Sequence, residues 1–136
     1  MVSRQNKTSI SEPGVSWWIV FKDIPHPWIK RILRPGHQHV FAIVRMKNLV
    51  LGIDPLLGVV NHVLSDADLA EILAGHKMNG CTVVHYRHYP ESQKFIMRGP
   101  VMTCASYIAY TIGISFFGVT AWQLYKKIIK LGGEKI

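Results

Sequence analysis

Acidic side chains are scarce in this chain. Eight aspartates and glutamates face sixteen lysines and arginines over 136 residues, a formal net charge of +8. Cysteine is scarcer still. Cys81 and Cys104 are the only two, too few for a disulfide framework and without the neighbouring ligands of a zinc knuckle, so a reducing compartment is expected. Neither glycine-rich phosphate fingerprint, Gly-x-x-x-x-Gly-Lys-Ser/Thr or Gly-x-Gly-x-x-Gly, is present, which removes nucleotide-dependent chemistry. There is no internal repeat and no low-complexity segment. The stretch from Met1 to Val15 is polar and has no apolar centre, so no secretory leader is expected. The seven histidines do not form a chelating set. His85 and His88 are an odd number of residues apart on a strand and face opposite ways, while His26, His62 and His76 have no partner at ligand spacing, so neither a metal nor a cofactor is expected.

The length suits one domain with a core of its own. The expected organisation is a polar arm over 1–15, a single α+β domain over 16–131 and a basic tail over 132–136. Positive charge gathers at Lys22, Lys30, Arg31 and Arg34, and again at Lys126, Lys127, Lys130 and Lys135. Such an excess suits an acidic partner: nucleic acid, an anionic membrane surface or another protein of an assembly. Trp17, Trp18 and Trp28 lie beside the first cluster, a mixture that fits single-stranded nucleic acid or a bilayer interface. Packing or a protein contact is the preferred reading, because tryptophan and arginine are enriched at such contacts.

Charge is missing altogether from Gly99 to Tyr125, a gap bracketed by Arg98 and Lys126-Lys127 like the flanks of a membrane span. Against a span, the stretch carries Thr103, Ser106, Thr111, Ser115, Thr120 and Gln123 and is interrupted by Gly113 and Gly118. Thr120-Ala121-Trp122-Gln123 has the form of a capping box, which starts a fresh helix in mid-stretch. Two buried helices joined by a turn are therefore expected, with a membrane protein spanning at 99–125 as the competing reading.

Elsewhere, short apolar runs alternate with turn signals. Ser16 to Lys22 reads as a strand or a first apolar turn. Pro27 opens a short helix through Leu33, which Arg34-Pro35-Gly36 stops. His39 to Met46 reads as a buried strand, Lys47-Asn48 as a hairpin turn, Leu49 to Ile53 as the returning strand closed by Asp54-Pro55, and Val59 to Leu64 as a third strand. Ser65 caps a helix from Asp66 to about His76, with Asp66, Asp68 and Glu71 near its positive end. Asn79-Gly80 ends it, Cys81 to His88 is again a strand, and Pro90 to Lys94 is a loop. The order predicts an α+β fold: a small antiparallel sheet, since the connections are too short for crossovers, with the terminal helices on one face.

Two residues carry candidate chemistry. Cys104 opens a helix in Gly99-Pro100-Val101-Met102-Thr103-Cys104-Ala105-Ser106, and His39 opens the strand Val40-Phe41-Ala42-Ile43-Val44. A thiol at a helix N-terminus and an imidazole at the mouth of a strand are the two halves of a cysteine nucleophile with its base. The exposed N–H of Cys104 is placed to donate to an oxyanion. His37 is the alternative base. A blander role also fits, because Cys104, Ala105, Ile108, Ala109 and Ile112 share one helical stripe and Cys104 then fills core space.

The run Pro35-Gly36-His37-Gln38-His39-Val40-Phe41-Ala42-Ile43-Val44, followed by strands and then by Thr103-Cys104-Ala105-Ser106-Tyr107-Ile108, resembles the permuted papain-like superfamily. Cell-wall peptidases of the NlpC type and the lecithin retinol acyltransferase-like enzymes belong to that group, and the histidine strand precedes the cysteine helix in its permuted members. Thr120-Ala121-Trp122-Gln123-Leu124-Tyr125 is also similar to the end of small tailed-phage proteins. The resemblance spans about Pro35 to Tyr125 and implies Cys104 as nucleophile, His39 as base and Asp54 as the group that orients the imidazole. Asp54 before Pro55 also suits a plain turn, and Asn61 or His62 are the alternative orienters. The implied function is a thiol hydrolase of amide bonds, with the stem peptides of peptidoglycan as substrate and a phage particle or host cytoplasm as location. A structural virion or tail-assembly protein on the same fold, contacting other virion proteins with the site idle, is the alternative.

Overall fold

A computed structural model of the chain describes residues 14–24, 34–46, 49–55, 58–60, 66–88 and 103–136. The polar arm through residue 13, the expected helix from Pro27 to Leu33, the Lys47-Asn48 turn, Asn61, His62, the Ser65 cap and the Pro90–Lys94 loop lie outside the described residues.

The elements run β1 (Val15–Lys22), β2 (His39–Met46), β3 (Leu49–Asp54), β4 (Gly58–Val60), α1 (Asp66–Met78), β5 (Thr82–His88), α2 (Cys104–Ile112), α3 (Ala121–Lys130) and β6 (Glu134–Lys135). The fold is α+β, with one antiparallel sheet in the order β4-β3-β2-β1-β5-β6. The hairpins β2-β3-β4 form a meander, and β1 lies between β2 and β5.

Alternation along the strands sorts the core into two layers. Phe21, Val40, Ala42, Val44, Val84 and Tyr86 pack with Ala105, Ile108, Ala109 and Ile112 of α2 and with Leu124 and Ile128 of α3. Their neighbours Val20, Phe41, Ile43, Val50 and Val83 pack on the opposite face with Leu69 and Leu73 of α1. The terminal helices therefore share one face, and β1 and β2 are apolar in both directions because helices cover both sides.

The uncharged stretch breaks as its chemistry requires. Gly113, at φ +101, takes the left-handed conformation that closes α2, donating its N–H to the Ala109 carbonyl. Thr120 then caps α3, accepting from the Gln123 N–H at 3.2 Å while Gln123 Oε1 accepts from the Thr120 N–H at 2.9 Å. Over residues 103–125 the stretch is therefore divided between two helices, and among the described residues no helix is long and apolar enough to cross a membrane.

Three boundaries differ from expectation. The strand expected from Val59 starts at Gly58, its expected end at Leu64 lying outside the described residues, α1 runs on to Met78, and the segment expected as a basic tail supplies β6. There Glu134 pairs with His85 and Lys135 with Val84, and the Ile136 N–H reaches the Val83 carbonyl at 3.0 Å. Backbone pairing along the edge of β5 that β1 leaves open is available to a strand-competent segment whatever its charge, which is why two charged residues serve there.

Candidate active site

The approach to β2 is fixed locally before any catalytic group appears. Arg34-Pro35-Gly36-His37 is a tight turn in which the His37 N–H donates to the Arg34 carbonyl at 3.0 Å and Gly36 sits at φ +88, a geometry proline favours at its second position and glycine at its third. The Gly36 N–H donates to Asp23 Oδ1, and Gln38 Oε1 accepts from the Ile24 N–H at 2.9 Å. These bonds lash the turn to the end of β1 and set where the first residue of β2 stands.

That residue is His39. It is almost fully buried, and its Nε2 lies 2.8 Å from Oδ1 of Asp54, whose side chain is 14 % exposed. Asp54 is the last residue of β3, held where the chain turns through Pro55 and returns to pair Gly58 with Asp54. An Nε2–H donated to the carboxylate leaves Nδ1 as the nitrogen able to accept a proton. The turn role expected of Asp54 and its orienting role are thus compatible, one served by backbone and the other by side chain.

His37, the alternative base, goes elsewhere. Its ring lies among Phe21, Trp122 and Tyr125, with centroids 5.2, 4.9 and 4.6 Å away. Burial lowers its pKa, with the Pro35 backbone opposing and the Arg34 guanidinium reinforcing the shift. Arg34 itself stacks over Trp122 at 3.9 Å.

Cys104 is the first residue of α2. Thr103 caps the helix: its Oγ1 accepts from the Ser106 N–H at 3.2 Å, while the Thr103 N–H donates to Ser106 Oγ at 2.8 Å. A serine in the third helical position replaces the usual Glu or Gln of a capping box, so the sequence pattern does not announce it. With Ser106 engaged by the cap, the amides of Cys104 and Ala105 are turned to the thiol. The half-buried sulfur also meets the backbone of Val40, and the Asp54 charge reaches it. Burial pushes the thiol pKa up, the three backbone groups oppose that rise, and Asp54 adds to it. Cys104 also packs against the α2–α3 core, so the space-filling role is real.

The structure brings His39 and Asp54 together and places Cys104 on the other face of β2. Val40 looks toward α2, whereas the His39 ring shares the other face with Phe41, 6.4 Å between centroids. The β2–β3 ladder ends at the pair Ala42–Ile53, so β3 no longer pairs alongside His39 and Val40. Sulfur and imidazole approach that stretch of β2 from opposite sides, one residue apart along the strand.

His85 and His88 lie on opposite faces of β5, as their odd spacing requires. His85 stacks on Trp18 at 5.0 Å on one face, and His88 packs against Gly113 on the other. Trp17 is core and Trp18 is half-buried. No group of His, Cys, Asp and Glu able to hold a metal occurs among the described residues.

No family model matches the chain, and no curated protein or solved structure is significantly similar to it.

Proposed function

We propose that the protein is a thiol hydrolase of amide bonds, with Cys104 as nucleophile, His39 as base and Asp54 as the residue that orients the imidazole. The observation that carries the reading is the buried His39–Asp54 pair at the strand end whose neighbouring backbone, Val40, meets the Cys104 sulfur. His39 and Asp54, 15 residues apart on adjacent strands, supply an oriented imidazole, and Cys104 approaches the same strand end from its other face.

In the proposed reaction Nδ1 of His39 takes the thiol proton and the thiolate attacks the carbonyl carbon. The transfer requires the ring or the first turn of α2 to move round the end of β2, because the two approach that strand from opposite sides. The first-turn N–H groups of Cys104 and Ala105 are the donors on hand for the oxyanion that forms. The imidazolium, held by Asp54, passes its proton to the departing amine, leaving a thioester on Cys104. Water, deprotonated by His39, then attacks the thioester and releases the acid and the free thiol. By the resemblance to NlpC-type peptidases, the substrate is a peptidoglycan stem peptide and the setting a phage particle or its host.

The test is incubation with muropeptides, read by mass spectrometry. Released amine together with a transient acyl adduct on Cys104, both abolished by Cys104→Ser, is the expected result. Release that survives Cys104→Ser contradicts the assignment.

A second reading, a structural assembly protein with an idle site, is favoured by two observations: the Cys104 sulfur and the His39 ring approach β2 from opposite sides, and burial raises the Cys104 pKa and so reduces the thiolate available at neutral pH. Its signature is a Cys104 that reacts no faster than Cys81.

A further inference from the structure

At the far end of α2 from Cys104, about 13 Å along a nine-residue helix, the chain builds a surface that the hydrolase reading does not use. The segment between Gly113 and Thr120 is pinned at both ends. The Gly113 and Ile114 N–H groups donate to Ala109 at 2.9 and 2.8 Å, and Gln123 Oε1 accepts from Val119 at 2.7 Å and from Thr120 at 2.9 Å. Phe116 turns into the core at 4 % exposure, while Phe117 stands 68 % and Val119 54 % exposed. Beside them an open depression of about 400 Å³ is lined by Phe116, Phe117 and Gln123 and by Lys126, Lys127 and Lys130 of α3. A fixed loop with a largely exposed aromatic side chain, lining the same depression as three lysines, has the two parts of an interfacial anchor: an apolar wedge and a cationic ring.

We infer that the Phe117–Val119 loop and the Lys126, Lys127 and Lys130 face dock the protein on an anionic lipid bilayer, the loop entering the headgroup region while the lysines meet lipid phosphates. Charge complementarity favours an anionic surface. Two exposed apolar side chains, Phe117 and Val119, beside the lysines favour lipid over an acidic polypeptide, because a fluid bilayer takes up apolar surface without needing a matched pocket. The short, broken helices make this peripheral binding and not a span.

Co-sedimentation of the purified chain with sucrose-loaded vesicles tests the inference. Phosphatidylcholine vesicles containing 30 % phosphatidylglycerol are expected to bind the protein and pure phosphatidylcholine vesicles to leave it in the supernatant, with binding weakening as salt rises. Each lysine-to-glutamine change at 126, 127 or 130 lowers vesicle affinity about fivefold. Phe117→Ser lowers it further at unchanged charge, whereas Phe117→Trp retains binding and is quenched by brominated lipid. Equal binding to neutral vesicles, insensitivity to both Phe117 changes, or binding to polyglutamate with none to anionic vesicles overturns it. Thermal unfolding of each variant is run alongside, and loss of binding in a variant that still unfolds as the parent does supports the site. Hydrolysis of a soluble peptide reads the Cys104 site separately and is expected to be unchanged by Phe117→Ser.

Discussion

Asp54 Oδ1 and His39 Nε2 lie 2.8 Å apart across the end of the β2–β3 hairpin, and this contact converts two turn-proximal residues into one oriented imidazole. The bond fixes which ring nitrogen is left for chemistry, so its removal has separate consequences for stability and for reactivity. Asp54→Ala leaves a buried ring nitrogen without its partner and is expected to destabilise the fold by about 1–3 kcal/mol, read as a shift in the urea midpoint at constant slope. Asp54→Asn keeps the shape but not the charge, and is expected to slow Cys104 chemistry at least tenfold with a smaller loss of stability. An unchanged midpoint in Asp54→Ala contradicts the burial of the pair.

Gly113 closes α2 at φ +101, and a Cβ there stands 3.0 Å from His88 Nε2. Both the left-handed backbone and the ring oppose a side chain. Gly113→Ala is therefore expected to cost at least about 1 kcal/mol, measured by thermal or denaturant unfolding. His88→Ala in the same background is expected to recover only the steric part, because the backbone cost remains.

Acid should weaken the fold as pH falls through the ordinary histidine range. Burial lowers the pKa of His37, His76, His85 and His88 from the ordinary 6.5. Above 6.5 these rings are neutral in both folded and unfolded chains. As pH falls through 6.5 the unfolded chain takes up protons that the folded one resists, so stability declines until the lower folded pKa values are passed. Urea midpoints measured from pH 7.5 to 5 are expected to fall, and His37→Phe, which keeps the ring contacts with Trp122 and Tyr125, is expected to flatten part of that slope. A midpoint that rises toward pH 5 contradicts the sign.

Thr103→Ala removes the side-chain acceptor for the Ser106 N–H and is expected to cost about 1 kcal/mol. It also loosens the first turn of α2, where Cys104 sits. Hydrogen exchange at residues 104–106 is expected to accelerate relative to Ile108 and Ala109, and equal protection across the helix contradicts a structural role for the cap.

Much of this was legible in the sequence, for reasons that differ by element. His39–Met46 is dense in branched and aromatic residues between a Pro-Gly turn and a polar pair, so its limits were readable to the residue. Gly113 and the Thr120-Gln123 box announce the break in the uncharged stretch through local backbone chemistry alone. The two-layer core also follows from alternation, but which strand lies beside which does not. Nothing local to β1 says that it pairs with β2 on one side and β5 on the other, and β6 is two charged residues whose pairing depends on a free edge supplied from far away. At the site, residue types and helix position singled out Cys104 and His39, Asp54 entered only as what the family resemblance implies, and the role of His37 depended on where α3 docks. The faces from which sulfur and imidazole approach were hidden as well, since they depend on where β3 leaves the ladder.

The central claim is that His39 activates Cys104, and thiol reactivity measures it without any assumption about substrate. Iodoacetamide labelling of each cysteine, followed by mass spectrometry at pH 7 on the folded chain, should show Cys104 modified at least tenfold faster than Cys81, whose thiol burial also raises, with His39→Ala removing that advantage. Equal, slow rates at both cysteines, unchanged by His39→Ala, would contradict it and leave the fold as a scaffold.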